Sequence, residues 1–366
     1  MAIANRLYYG LGIEKNCDSA YEYYETVAEP ALLSKHVGYR FPKFNTSFIY
    51  EDERDSTSIS LEENMEDIIT YQKYHAETGD ATSLYVVAQY YLVKTNPDYE
   101  KAREYAEKAA ESDIPGGLAI LGHLHLHGLG GLEESHALAR QYFSKAASKD
   151  SELGHYGLGL IYYHGLDNED PDEHVALNHF QQAAKKDLAE ANYYVGKILL
   201  EQGNDQVSAK AYFLKALKFN HLGAMFELGR MAKRHFSCKE ATEYMKAVAE
   251  KNSLVIEVMK TADSAFKQSP EKSLINYLFL ADLGISEAQC IAAKMIRSHP
   301  QGKKNLELEL WLLAAKQAKV EAANIYLENN PEKSAALYKE AYLAGNPKAA
   351  FKLGYMYQKG IGVSKV

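Results

Sequence analysis

Small, aromatic and apolar positions return along this chain in a fixed order. The segments ALARQYFSKAASKD (137–150), ALNHFQQAAKKD (176–187), AKAYFLKALKFN (209–220) and ATEYMKAVAEKN (241–252) share one grammar. A small residue comes first, an aromatic or large apolar one follows three or four positions on, and a small or apolar pair comes about four later. The last member of that pair falls at Ala110, Ala147, Ala184, Leu217, Ala249, Ala281 and Ala315, at intervals of 32 to 37 residues. A fixed period in this range marks a stacked repeat.

A second segment precedes each of these. It reads GGLAILGHLHLHGLG (116–130), GHYGLGLIYYHG (154–165), AEANYYVGKILLEQG (189–203) and KAAFKLGYMYQKGIG (348–362). Its small position recurs at Ser83, Gly117, Gly154, Ala191, Ala224, Ala288 and Ala349. Spacings of three and four place each set on one helical face. Every unit therefore predicts a helix A, a glycine turn and a helix B. Small residues at the crossing let antiparallel axes approach, and aromatics and leucines fill the groove between pairs. One pair cannot bury its own apolar face, so stacking has to supply the core.

Helix starts are predicted where Asp170, Ser269 and Asn330 stand before Pro171, Pro270 and Pro331, an N-cap followed by proline at the first helical position. Ser237 and Glu240 have capping-box spacing. Gly10 and Gly12, Gly128 and Gly130, and Gly360 and Gly362 close A helices, where a left-handed cap favours glycine. The period breaks once. Between helix B at 19–29 and a bare helix B at 61–80 lies VGYRFPKFNTSFIYEDERDSTS (37–58), read as an inserted loop with a short hairpin around Tyr39–Tyr50. The organisation expected is a first repeat at 1–30, an insertion at 31–60 and one array from 61 to 366. Met1 opens directly on a helix A and Val366 follows one, so an excised piece of a longer array is expected. Apolar faces at its open ends would then favour self-association.

Composition narrows the function classes. Among 366 residues, 41 are basic and 49 acidic, a formal net charge of −8. With no basic stripe, nucleic acid is not an expected partner. No uncharged apolar run is long enough to span a bilayer. Tyrosine is abundant (28 residues), which suits a thin array in which a buried ring keeps its hydroxyl near water.

Candidate chemistry is sparse. His123 and His127 have the spacing of a metal pair, but His127 falls in the column of His164 and Lys359 and His125 in that of Tyr162 and Tyr357, which points to helix packing and to no metal. Cys17, Cys238 and Cys290 lie in different units; their separation along a regular array should exceed the roughly 7 Å limit between bridged Cα atoms, so they read as buried small residues. No CxxC, HExxH, GxSxG or phosphate loop occurs, and no catalytic group or cofactor site is expected. Asn45-Thr46-Ser47 is an N-glycosylation sequon in the long polar loop.

Helix A with its glycine turn, LGxxYxxGxG, followed by AxxYFxKAAxxG, resembles the Sel-1-like repeat, a relative of the tetratricopeptide repeat. The resemblance covers nearly the whole chain and implies an all-α, right-handed α-solenoid. Units lacking the turn glycine (Arg234-His235-Phe236) and a shortened unit at 320–345 depart from the pattern. The stretches 8–30 and 271–296 are similar to the lumenal scaffold subunits of the HRD ubiquitin-ligase complex. That likeness implies a non-catalytic adaptor of endoplasmic-reticulum-associated degradation (ERAD), anchored to the membrane and acting in the lumen. Its implied partners are a membrane-embedded ubiquitin ligase, other ERAD subunits, an ER lectin and misfolded glycoprotein clients. The rival reading is a cytosolic Sel-1-like signalling adaptor. A secreted bacterial hydrolase with such repeats would carry paired cysteines in each unit, which are missing.

Overall fold

The predicted alternation of A and B segments appears as helices in a computed structural model. It describes residues 1–33, 58–94, 96–166, 170–203, 205–235, 237–266, 268–298, 304–314, 319–343 and 345–364. Among them are twenty helices and no strand. The first pair is α1 (Ala2–Tyr9) and α2 (Cys17–Leu33), followed by the bare B helix α3 (Ser58–Glu77). Five A–B pairs come next: α4 (Ala81–Val93) with α5 (Tyr99–Glu111), α6 (Pro115–His127) with α7 (His136–Ser148), α8 (Glu152–His164) with α9 (Glu173–Ala184), α10 (Ala189–Glu201) with α11 (Gln206–Leu217), and α12 (Leu222–Arg234) with α13 (Cys238–Ala249). Three more are α14 (Ser253–Ala265) with α15 (Pro270–Asp282), α16 (Ser286–Ser298) with α17 (Lys304–Leu313), and α18 (Lys319–Asn329) with α19 (Pro331–Leu343); α20 (Pro347–Lys359) is a further A helix. Of the expected insertion at 31–60, residues 31–33 belong to α2 and 58–60 to α3; the rest, with its hairpin and Asn45, lies outside the described residues.

The helices form two compact units. One comprises residues 35–228; the other joins residues 1–34 to 229–366. In the first, each helix from α4 to α11 packs on its neighbour, and the A helices α4, α6 and α8 also touch in succession. The core is a seat repeated unit by unit. The ring of Phe143 on α7 lies against Gly122 on α6, Phe180 on α9 against Gly159 on α8, and Phe213 on α11 against Gly196 on α10. A Cβ at these glycines would come 2.6 to 2.8 Å from the ring, closer than real contacts allow. Phe143 also presses on Gly157 of the following A helix, so one ring is held between two successive units. Phe180 stacks on Tyr194 with centroids 4.7 Å apart, continuing the ladder into α10.

In the second unit the ring column of the B helices continues at two positions without a glycine on the preceding A helix. Tyr277 and Tyr338 replace phenylalanine and are buried, and their hydroxyls donate to Asp263 and Asn324 on the preceding A helices. One turn earlier, buried Ser273 and Ser334 donate to the carbonyls of Ala262 and Ala323, at 2.9 and 2.8 Å. These tyrosines therefore satisfy their hydroxyls inside the protein, not at the water surface expected from composition.

Turn chemistry departs from expectation in three places. Helix α9 starts at Glu173, and its cap is Asp172, which accepts hydrogen bonds from the amides of His174 and Val175; Asp170 and Pro171 precede it. Ser269 caps α15 without a side-chain hydrogen bond, whereas Asn330 accepts from the Lys333 amide as expected. Ser237 donates to the Glu240 carboxylate, so the pair bonds side chain to side chain instead of each capping a backbone amide. Gly10, Gly128 and Gly360 are left-handed caps of A helices. The return turns from B to A use a signal not anticipated. Asp113, Asp150, Asp187 and Asn220 all adopt φ between 55 and 64°, a conformation that Asp and Asn tolerate better than other non-glycine residues. Lys149 reaches Asp113 at 2.7 Å and Lys186 reaches Asp150 at 2.9 Å, linking successive turns across the surface.

If the ring-on-glycine seat carries the stacking, Phe180→Ala should lower unfolding stability by about 3–5 kcal/mol. The measurement is the urea midpoint followed by helical circular dichroism. A variant whose midpoint stays put would show that the seat contributes nothing.

Candidate interaction surfaces

The alanine column read from the sequence lies at the helix crossings, one position from the tightest contact. Ala184, Ala249 and Ala281 are buried, Ala110 and Ala147 are half-buried, and Ala315 lies outside the described residues. The fully buried partners are the preceding residues Ala109, Ala146, Ala183, Ala216, Val248 and Leu280. Gly117 and Gly154 of the next A helix pack against Ala109 and Ala146, with the backbone at Ala110 and Ala147 close by.

The cysteine expectation is overturned. Cys17, at the start of α2, and Cys238, at the start of α13, form a disulfide with Cα atoms 6.1 Å apart. They are 221 residues apart in the chain. The distance estimate assumed that packing follows chain order; here α2 packs directly on α13. Around the bridge, Thr242 is buried, donates to the Cys238 carbonyl at 2.8 Å and sits 3.5 Å from the Cys17 sulfur. Tyr8 donates to Glu243, Lys233 pairs with Asp18, and Arg6 meets Asp282 at 3.0 Å. Tyr21 and Tyr24 are buried, and Asn5 lies against Gly284 in the turn between α15 and α16. The first helix pair is thus held by apolar burial, polar contacts and one covalent bond. Cys290 remains a free, half-buried thiol whose pKa burial pushes up.

The histidines act as packing groups. His123 and His127 meet edge to face at 4.7 Å. His125 stacks on Tyr142 at 5.4 Å, and one repeat later Tyr162 stacks on His179 at 5.7 Å, with the two ring types exchanged between helices. His155 and His179 approach Nδ1 to Nδ1 at 3.1 Å. Among the described residues, no three His, Cys, Asp or Glu side chains converge as a metal site would require. Burial pulls His123 down to about 3 and His221 to about 4, and it also lowers His127, His155, His164 and His179. His221 stands just before α12, where its Nδ1 accepts the Ala224 amide, and its ring stacks on Tyr193. Only the neutral ring can accept that bond.

No described helix is long and apolar enough to cross a membrane. What the surface offers is shape and scattered exposed apolar groups, among them Val207, Leu254, Ile275, Leu343 and Phe351. Such groups bind other proteins by area and complementarity.

The family comparison agrees with this architecture. The Sel1 repeat matches residues 1–29, 82–113, 116–151, 153–188, 189–218, 325–346 and 347–366. Over 175 residues the chain is 27% identical to the ERAD-associated E3 ubiquitin-protein ligase component HRD3 of Candida glabrata, covering 42% of this chain and 21% of that protein. The chain therefore spans about a fifth of the length of the curated relative it matches. Similar solved structures include a protective antigen of uropathogenic Escherichia coli with an SLR fold (17% identity, 99% of this chain and 80% of that one, TM-score 0.40). Another is a Sel1 repeat protein from Oxalobacter formigenes (21% identity, 70% and 96%, TM-score 0.36).

Two outcomes are expected. Maleimide should label one cysteine in the denatured, unreduced protein and three after reduction; Cys17→Ser should free Cys238 and lower stability by about 2–4 kcal/mol. Acid should also destabilise the unit that holds the histidines. Their folded pKa values lie below the unfolded value near 6.5, so the unfolded chain takes up protons first as pH falls. The contribution is complete above pH 6.5 and declines below it, by at most about 1.4 kcal/mol per pH unit for each group. Urea midpoints at pH 7.5 and 5.0 measure the loss. His221→Asn, which keeps an acceptor at the cap, should reduce it.

Proposed function

The chain belongs to the Sel1 repeat family, and on that footing we propose that it is a non-catalytic scaffold of an ER-associated ubiquitin-ligase complex. In this reading it works in the ER lumen as part of a membrane-anchored protein. It recruits misfolded glycoprotein clients and an ER lectin on some repeat surfaces and docks ligase subunits on others. The repeat fold supports the scaffold role, because stacked helix pairs present extended surfaces and little else. The partial likeness to an ERAD-associated ligase component supports the pathway.

The observation that carries the compartment is the Cys17–Cys238 disulfide. Structural disulfides persist in oxidising compartments such as the ER lumen and are rare in the cytosol. A lumenal location also gives the Asn45 sequon access to glycosylation.

The test is expression in a eukaryotic secretory pathway. Wild type should shift on glycosidase treatment and the Asn45→Gln variant should not. The secreted protein should also co-precipitate an ER lectin or the lumenal parts of a ligase complex, and it should turn over no peptide, ester or nucleotide. Capture of cytosolic signalling proteins alone, with no glycan and three free thiols, would favour the cytosolic adaptor instead.

A further inference from the structure

One pair of histidines does more than fill a packing column. His155 on α8 and His179 on α9 are both half-buried, so each ring still meets solvent. Their Nδ1 atoms face each other at 3.1 Å, with the ring centres 5.4 Å apart. As a direct hydrogen bond, this contact needs one Nδ1 to carry a proton and the other to accept it. With both protons on Nε2 instead, two in-plane lone pairs converge. A tetrahedral ion bound at about 2.0–2.1 Å holds its ligand nitrogens roughly 3.3 Å apart. The pair already stands near that separation.

Neither imidazole is what the repeat places there. The position before the seated residue of helix B is Tyr142, Tyr212 and Tyr244 in other units, but His179 in this one. The position after the small residue of helix A is Leu118, Asn192 and Met225 in other units, but His155 in this one. The stack of Tyr162 on His179 mirrors that of His125 on Tyr142, and it accounts for a ring at 179. It does not account for a second imidazole facing the nitrogen of the first. Two departures that meet in space, inside an otherwise consistent grammar, are where a functional position is expected.

We propose that His155 and His179 form a binding site for a divalent transition-metal ion of the zinc class. Both Nδ1 atoms ligate the ion, and each Nε2 keeps its proton. Imidazole suits zinc, copper and nickel, whereas magnesium and calcium take oxygen ligands. Among the described residues no third His, Cys, Asp or Glu joins the pair, so the site is open and water completes the coordination. Asp150, paired with Lys186 at 2.9 Å, sets a negative charge near His155, and Lys185 and Lys186 oppose it. That balance suits an exchangeable ion. The bound ion ties helix A to helix B within one unit, and the inference is independent of compartment and of the ligase assignment.

The probe is Zn2+ at pH 7.5, added to the chelator-treated 366-residue protein. Binding is followed by competition with a chromophoric zinc indicator and by the thermal midpoint. One equivalent should bind and raise the midpoint. His179→Tyr and His155→Asn restore residue types that other units use; Asn192, for example, donates to the Leu188 carbonyl at 2.8 Å. Each should keep the metal-free midpoint, weaken Zn2+ about tenfold or more and remove the rise. His127→Gln, which breaks the other close histidine pair, should leave the Zn2+ affinity unchanged. With Cu2+ instead, electron paramagnetic resonance should report two coordinating nitrogens in wild type and one in each single variant. The proposal is overturned if no Zn2+ binds, or if the loss follows His127→Gln. Binding undiminished in His179→Tyr and His155→Asn would also overturn it, because the metal would then be an adventitious ion only.

Discussion

A benzyl ring resting on a helix backbone is the contact from which the described structure is built. Phe143, Phe180 and Phe213 can reach the axis of the neighbouring A helix only because glycine stands there. Any larger residue would push the helices apart and open the groove along its length, since interiors are packed too tightly to absorb a methyl group without displacement. Other columns serve this contact. The buried alanines at 109, 146 and 183 bring the other side of each B helix against the next A helix, and the left-handed aspartates reverse the chain in time to repeat the seat.

Where the column holds tyrosine, the preceding A helix has no glycine, and burying the hydroxyl carries a polar cost that the same helix meets. Asp263 and Asn324 stand fourteen residues before Tyr277 and Tyr338 and accept their hydroxyls. A buried hydroxyl without such a partner would cost about 1–3 kcal/mol. The two substitutions therefore come as sets, Tyr with Asx and Ser with an A-helix carbonyl, and they distinguish one compact unit from the other without changing its register.

Packing here does not follow chain order: the first pair stands before the insertion, yet it meets a unit far along the chain. α2 docks on α13, and the Cys17–Cys238 bridge makes that choice covalent. The energy of the bridge lies mainly in limiting the unfolded chain, and the loop it closes is long. His221 adds a second kind of restraint: one neutral imidazole caps α12 and stacks on Tyr193 at once, and its protonation would remove the acceptor that holds the cap.

The sequence by itself determined the helix pairs, their period, most of their ends and the class of surface they make. Each of these depends on residues within one or two turns of one another, and spacing is a sufficient record of local geometry. It was less sure by one position, as at Asp172 or at the alanine pairs, where two adjacent residues satisfy the same spacing and only packing selects one. The partner of α2, the cysteine pairing and the acceptors of the buried tyrosines were decided by tertiary structure. The physical reason is the repeat's own uniformity: a grammar that is the same in every unit specifies how units fit together, but carries no information about which two will meet.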